Sequence, residues 1–172
     1  DECAILAHSV EAAAQQGRAS PMDSSTCSHG GIVIISDVVE PGLDYLYQRT
    51  LAMKDATRQW HIHNMSTPSN SDDVYLVIGN TGVHAPTGKQ VAKVADMLQQ
   101  DPSRMKEIDT IGQIARRGIK ALKEGDFAAV GRTMTENQLM LSSIGVSSPE
   151  LDNLIKAASP SSLGAKLTGA GG

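Results

Sequence analysis

The chain is short of aromatic side chains: one Trp, three Tyr and one Phe make up 3% of its 172 residues. A core of stacked rings is excluded. Ala, Val, Ile, Leu and Met must fill the interior instead, and a hydrophobic share of 40% supplies enough of them. Cysteine is scarce too. Cys3 and Cys27 stand far apart without C-x-x-C spacing, which excludes a disulfide scaffold and points to two reduced thiols of a cytoplasmic protein. There is no basic run, and the net charge of −4 weighs against nucleic acid as the main partner. No apolar run approaches the about 18 residues of a membrane-crossing helix. The first residues, DECAILAHSVEAAAQQG, lack the basic start and cleavage site of a signal peptide and read as the middle of a helix. An initiator Met is absent, and the last residues, LGAKLTGAGG, are a glycine-rich stretch with no element after it. The expectation is a piece of a longer protein. Its length fits one domain of ordinary size or two small ones.

Residues 4–16 read as a helix with apolar Ile5, Leu6 and Val10, stopped by Gly17. Residues 17–31, GRASPMDSSTCSHGG, read as a small polar loop, and the β-branched run 31–39 as a buried strand. The stretch EPGLDYLYQRTLAMKDATRQW has room for a short helix, and STPSNSDD has the composition of a linker, so the domain boundary is expected within 40–72. Residues 74–82, VYLVIGNTG, read as a central strand running into a turn. Thr87 and Gln90 have capping-box spacing ahead of the stripe Val91, Val94, Ala95 and Leu98. Asp101-Pro102 opens a long helix ending at Gly125, a third helix runs from Phe127 to Ile144, and Ser148-Pro149 opens a fourth. AKLTGAGG reads as a strand ending in a glycine turn.

Four features could carry chemistry. GNTGVHAPTGKQ, 79–90, lies between a predicted strand and helix, where phosphate loops occur. It fails the P-loop pattern, because five residues rather than four separate Gly82 from Gly88 and Gln90 stands where Ser or Thr would bind Mg²⁺. His61 and His63 could place two imidazoles on one strand face, as zinc sites do, or be two exposed strand residues. Asp23 is either a turn former or a catalytic carboxylate. The terminal KLTGAGG can turn several backbone N–H groups onto an anion, or be a plain turn.

In order along the chain, GRASPMDSSTCSHGG, LVIGNTGV, NQLMLSSIGVSSPELDNLI and GAKLTGAGG resemble the second half of the archaeal-type mevalonate kinases, a branch of the GHMP family of small-molecule kinases. The resemblance covers nearly the whole chain except 40–72, where an insertion is expected. The family's nucleotide loop, Pro-x-x-x-Gly-Leu-Gly-Ser-Ser, and its N-terminal lysine do not occur in these residues.

The fold that the resemblance implies is α+β, a two-domain GHMP kinase. Residues 1–39 would end a ribosomal-S5-like N-terminal domain with the aspartate loop. Residues 40–71 would connect, and 72–172 would form a ferredoxin-like C-terminal domain. The implied reaction moves a phosphoryl group from MgATP to the 5-hydroxyl of mevalonate, a step toward isoprenoids. By the same resemblance Asp23 is the catalytic base, Glu11 a Mg²⁺ ligand, and Ser20 and Thr81 substrate contacts. Gly169, Ala170, Gly171 and Gly172 back the phosphates of ATP, with Lys166 either adding charge or serving as a plain strand residue. The partners are then mevalonate and MgATP, with neither nucleic acid nor membrane, in a cytoplasmic protein that is a homodimer as family members often are. Two alternatives stay open. One is another GHMP kinase, acting on phosphomevalonate, homoserine or the 3-hydroxyl of mevalonate. The other is a non-catalytic binding fragment. A phosphorylated substrate would call for more cations near Asp23 than Arg18, which favours mevalonate. Without the nucleotide loop, residues 1–172 alone are expected to show little or no kinase activity.

Overall fold

The predicted strand at 31–39 forms, as β1 (Ile32–Ser36), and it is an edge rather than the middle of its sheet. The computed structural model describes residues 1–15, 17, 19–52, 57–71 and 73–172. Two further strands, β2 (Asp44–Ala52) and β3 (Thr57–Met65), complete an antiparallel sheet of order β1-β3-β2. The short helix expected in this stretch is therefore corrected to a strand. Ile34 and Tyr45 both pair with His63, and the register slips between Tyr45 and Tyr47. Beyond that bulge Tyr47 and Arg49 are buried while Gln48 and Thr50 are exposed.

Two helices precede the sheet, α1 (Glu2–Ala14) and α2 (Met22–His29). Ala4 and Ile5 of α1 join Tyr47, Ile62, Val33, Ile35, Leu46 and Trp60 in one core. The buried stripe of α1 is Ala4, His8 and Ala12, at helical spacing. Leu6 and Val10, two of the apolar residues by which the helix was read, are 68% and 65% exposed. Gly17 closes the turn after α1 as expected, with positive φ and its N–H on the Ala12 carbonyl at 2.7 Å. The loop expected at 17–31 is corrected, since half of it is α2. These elements make up one compact unit, Asp1–Thr67.

The second unit, Pro68–Gly172, holds the helices α3 (Thr87–Gln100), α4 (Met105–Lys123), α5 (Phe127–Ser143) and α6 (Pro149–Ala158), with a 3₁₀ turn at Pro102–Arg104. Ile144, Val146 and Leu167 form its core, packed against Val94, Ile108, Leu141 and Leu151 from all four helices or their ends. Asp101 caps the 3₁₀ turn and Ser148 caps α6, as their sequence positions promised. The Thr87–Gln90 capping box does not form, because α3 starts after Pro86 with no side-chain cap.

Of the ferredoxin-like arrangement expected here, the described residues form the helices. Two predicted strands are not strands in this structure. Residues 74–80 and 164–168 carry no ladder, and Tyr75 through Ile78 are at least 80% exposed. The class is α+β, with the described sheet confined to the first unit.

Candidate functional site

Asp23 sits in the first turn of α2, where the partial positive charge of the helix N-terminus favours a carboxylate. It is exposed and, among the described residues, has neither a hydrogen-bond nor an ion-pair partner. Ser20, exposed, and Pro21, fully buried, lead into the helix. MDSSTCSH is poor in helix formers and has no apolar stripe, so tertiary contacts must hold it. They come from β2. The Tyr47 hydroxyl is 3.0 Å from Oγ of Ser25, which is wholly buried. The Tyr47 ring also faces His29 at 5.6 Å, and His29 Nε2 lies 3.4 Å from the Asp1 carboxylate.

A second network fixes the chain just before Ser20. His8 has no exposed surface, and its Nε2–H donates to the Ala19 carbonyl at 3.2 Å. Its Nδ1 accepts from Arg49 Nε at 2.9 Å, which makes this imidazole the neutral Nε2–H tautomer. Arg49 also donates through Nη2 to Ser9 Oγ at 2.8 Å and through Nη1 to the Thr50 carbonyl. The His8 ring meets Trp60 edge-on, with centroids 5.4 Å apart. Sequence reading missed both His8 and Arg49. A strand with an inward arginine breaks the apolar–polar alternation that would have revealed β2.

Glu11, on α1, is half-buried, and one carboxylate oxygen accepts from Gln15 Nε2 at 3.1 Å. Arg18 lies outside the described residues. His61 and His63 do not form the pair of exposed strand histidines expected as the plainer reading. His63 is fully buried, with Nε2 accepting the Glu40 N–H at 3.1 Å, and His61 is half-buried. The Tyr45 ring touches both. Among the described residues no three His, Cys, Asp or Glu side chains are grouped to hold a metal ion.

The remaining expected site residues are in the second unit. Thr81 is half-buried, and its Oγ1 accepts from the Val83 N–H at 3.2 Å while Asn80 Oδ1 accepts from Gly82 N–H at 2.7 Å, a tight polar turn. Gly169, Gly171 and Gly172 all have positive φ. A Cβ on Gly171 would lie 1.9 Å from the Val146 carbonyl oxygen, so only glycine fits there. Gly172 N–H donates to that same oxygen at 2.9 Å. The N–H groups of Thr168, Gly169 and Ala170 have no backbone partner among the described residues, and a Cβ on Gly169 would meet open space. Three free donors on a turn of this kind can converge on an anion. The end of the turn touches residues 85–90: a Cβ on Gly172 would be 2.5 Å from both Ala85 Cβ and Gln90 Nε2. The structure thus brings the terminal glycines against the stretch that failed the P-loop pattern.

Lys166 is partly buried just ahead of this turn, and burial lowers its ammonium pKa below the ordinary lysine value. Its Nζ donates to the Leu167 carbonyl at 2.5 Å. Asp23, Ser20 and Glu11 belong to Asp1–Thr67, and Thr81 and Gly169–Gly172 to Pro68–Gly172.

Among known proteins, the model of the GHMP kinases C-terminal family matches residues 119–172. The mevalonate kinase of Methanothermobacter thermautotrophicus is 31% identical over 173 residues, which cover 99% of this chain and 48% of that protein. The mevalonate kinase of Aeropyrum pernix is 36% identical over 102 residues, 57% of this chain and 31% of that one. The chain therefore spans half or less of the length of these relatives. A crystal structure of L. major mevalonate kinase in complex with R-mevalonate superimposes with a TM-score of 0.62 at 24% identity, over 91% of this chain and 43% of that one, which supports the fold. Residues 119–172 thus match the GHMP kinases C-terminal family, in a chain similar over nearly its whole length to part of the M. thermautotrophicus mevalonate kinase.

Proposed function

We propose that this chain is the catalytic-aspartate and C-terminal portion of a kinase that transfers the γ-phosphoryl group of ATP to the 5-hydroxyl of mevalonate. The similarity to the M. thermautotrophicus enzyme along 99% of the chain carries this reading. The site geometry is consistent with it. Asp23 is an unpaired carboxylate at an open helix start, available to orient the substrate hydroxyl and accept its proton. Phosphoryl transfer asks mainly for positioning and charge stabilisation, so a carboxylate at a helix start and a row of unpaired N–H donors are apt parts. The free N–H groups of Thr168, Gly169 and Ala170 would hold phosphate oxygens of the nucleotide. Ser20 and Thr81 would contact the substrate.

Mg²⁺ is commonly held by one or two carboxylates together with substrate phosphates, so the lack of a three-residue cluster is compatible with it. Glu11, with one carboxylate oxygen engaged by Gln15, offers the hard oxygen donor required. Bound there, the ion would neutralise phosphate charge. Asp1–Thr67 would close the N-terminal domain, and Pro68–Gly172 would form the C-terminal one. The exposed free thiols Cys3 and Cys27 suit a reducing compartment such as the cytoplasm. Among the described residues no helix is long and apolar enough to cross a membrane.

The test is an ADP-release assay on the full-length gene product with mevalonate and MgATP. Asp23→Asn is expected to lower kcat by about 10²–10⁴-fold while nucleotide still binds. Activity that survives the substitution would remove Asp23 from the mechanism. Turnover of homoserine or phosphomevalonate in place of mevalonate would move the chain to another branch of the same kinases.

A further inference from the structure

We infer that Gln138 is a positioning residue for the glycine turn Gly169–Gly172, an inference that rests on reading that turn as the phosphate cradle. Gln138 projects from the middle of α5 and is 6% exposed. Its carboxamide fills three of its four hydrogen-bonding positions. Oε1 accepts from the Leu167 N–H at 2.8 Å, and Nε2 donates to Ser142 Oγ and Ser147 Oγ, each at 3.2 Å. One side chain thus joins α5, the segment that leaves it, and the residues that enter the turn. Ser147 passes the link on, donating to Asp152 Oδ1 at 2.6 Å on α6.

The far end of the turn is held from the same place. Gly172 N–H binds the Val146 carbonyl, one residue before Ser147, and Gly171 is pressed against that oxygen. Leu167 and Gly172 are therefore two fixed points, both set by α5 and its exit. The unpaired N–H groups of Thr168, Gly169 and Ala170 lie between them. Three donors act together on an anion only if their directions are fixed in advance. Loss of the Leu167 anchor leaves a buried N–H without an acceptor, and the segment must shift to satisfy it.

The experiment is steady-state kinetics on the full-length enzyme, wild type and Gln138→Met. Methionine matches the length of glutamine and lacks its acceptor. KM for MgATP is expected to rise about tenfold, the size of one lost buried hydrogen bond. KM for mevalonate is expected to stay unchanged, and calorimetric titration with MgADP is expected to weaken in parallel. A lower Tm with both KM values unchanged, or an equal rise in both, would reduce Gln138 to a structural residue and overturn the inference. Should Gln138→Met fail to fold, Ser147→Ala frees the same amide from the exit segment and is read by the same split. Wild-type enzyme that neither binds MgADP nor phosphorylates mevalonate would instead refute the kinase reading, and the inference with it. That failure shows in the wild type, whereas failure of the inference shows only in the variant.

Discussion

Three glycines inside helices give a prediction whose sign depends on what each would touch. Replacing a mid-helix glycine with alanine ordinarily stabilises by about 0.5–1 kcal/mol, because alanine loses less backbone freedom on folding. At Gly112 in α4 the new methyl would meet only Arg116 Nη1, at 3.8 Å, an ordinary contact. Gly112→Ala is expected to gain about that amount. At Gly118 the new methyl would lie 3.0 Å from Thr133 Oγ1 across the α4–α5 contact, and the two effects nearly cancel. At Gly131 in α5 the methyl would sit 2.1 Å from the Leu163 carbonyl oxygen and 2.3 Å from its carbon. Carbon and oxygen settle no closer than about 3.3 Å, so α5 and the following segment must part by about an ångström. Both sides are backbone, because Gly164 stands on the other face with its own Cβ position 1.9 Å from the Gly131 oxygen. No rotamer change can relieve the overlap, so the upper end of the overpacking range, about 3 kcal/mol, applies. Subtracting the propensity gain leaves a net loss of about 2 kcal/mol, or a fall in Tm of about 8 °C for a unit of this size. Urea unfolding followed by helix circular dichroism measures both ends of the series. A Gly131→Ala variant as stable as Gly112→Ala would refute the close approach of α5 and residues 163–164.

Two further substitutions test other parts of the molecule. Tyr47→Phe leaves the buried Ser25 hydroxyl without its partner and is expected to cost about 1–2 kcal/mol in urea unfolding; unchanged stability would mean that the pair does not hold α2. Lys166→Met is expected to raise Tm at pH 7, because the folded state pays to keep a desolvated ammonium. The folded pKa is lowered, so between that value and the ordinary one the unfolded chain holds the extra proton, and wild-type stability rises with pH across this window. The advantage of Lys166→Met must therefore shrink toward about pH 10, and an advantage that grows with pH would contradict the burial.

The helices of the second unit were legible because local signals agreed with packing. Asp101-Pro102 and Ser148-Pro149 marked two starts, and Ile108 of α4 and Leu141 of α5 pack against the core. Two strands of the first unit, β2 and β3, were hidden by the polar residues buried in and beside them. Arg49, His8 and His63 are buried through hydrogen bonds that no residue pattern announces. The helix α2 was hidden by its composition, since it is held by packing on α1 and β1 and by a hydroxyl pair made with a residue 22 positions away in sequence. The reverse error arose at residues 74–78. Val, Tyr, Leu and Ile there have high strand propensity, but a strand is made by its neighbour, and this segment has none among the described residues. Of the site, Asp23 and the glycine turn were read from motif resemblance. What fixes them, Tyr47 and Gln138, could be found only in three dimensions.

The scarcity of aromatic residues also makes the molecule optically simple. Trp60 is the chain's single tryptophan, and it sits in β3 against the edge of His8. Its emission reports the sheet unit alone, quenched or released with the His8–Arg49 network. Helical ellipticity is dominated by α3 to α6 of the other unit. The two halves therefore carry separate spectroscopic signatures without any added label. Denaturation curves that coincide by both probes would mean one cooperative transition, and curves that part would resolve two.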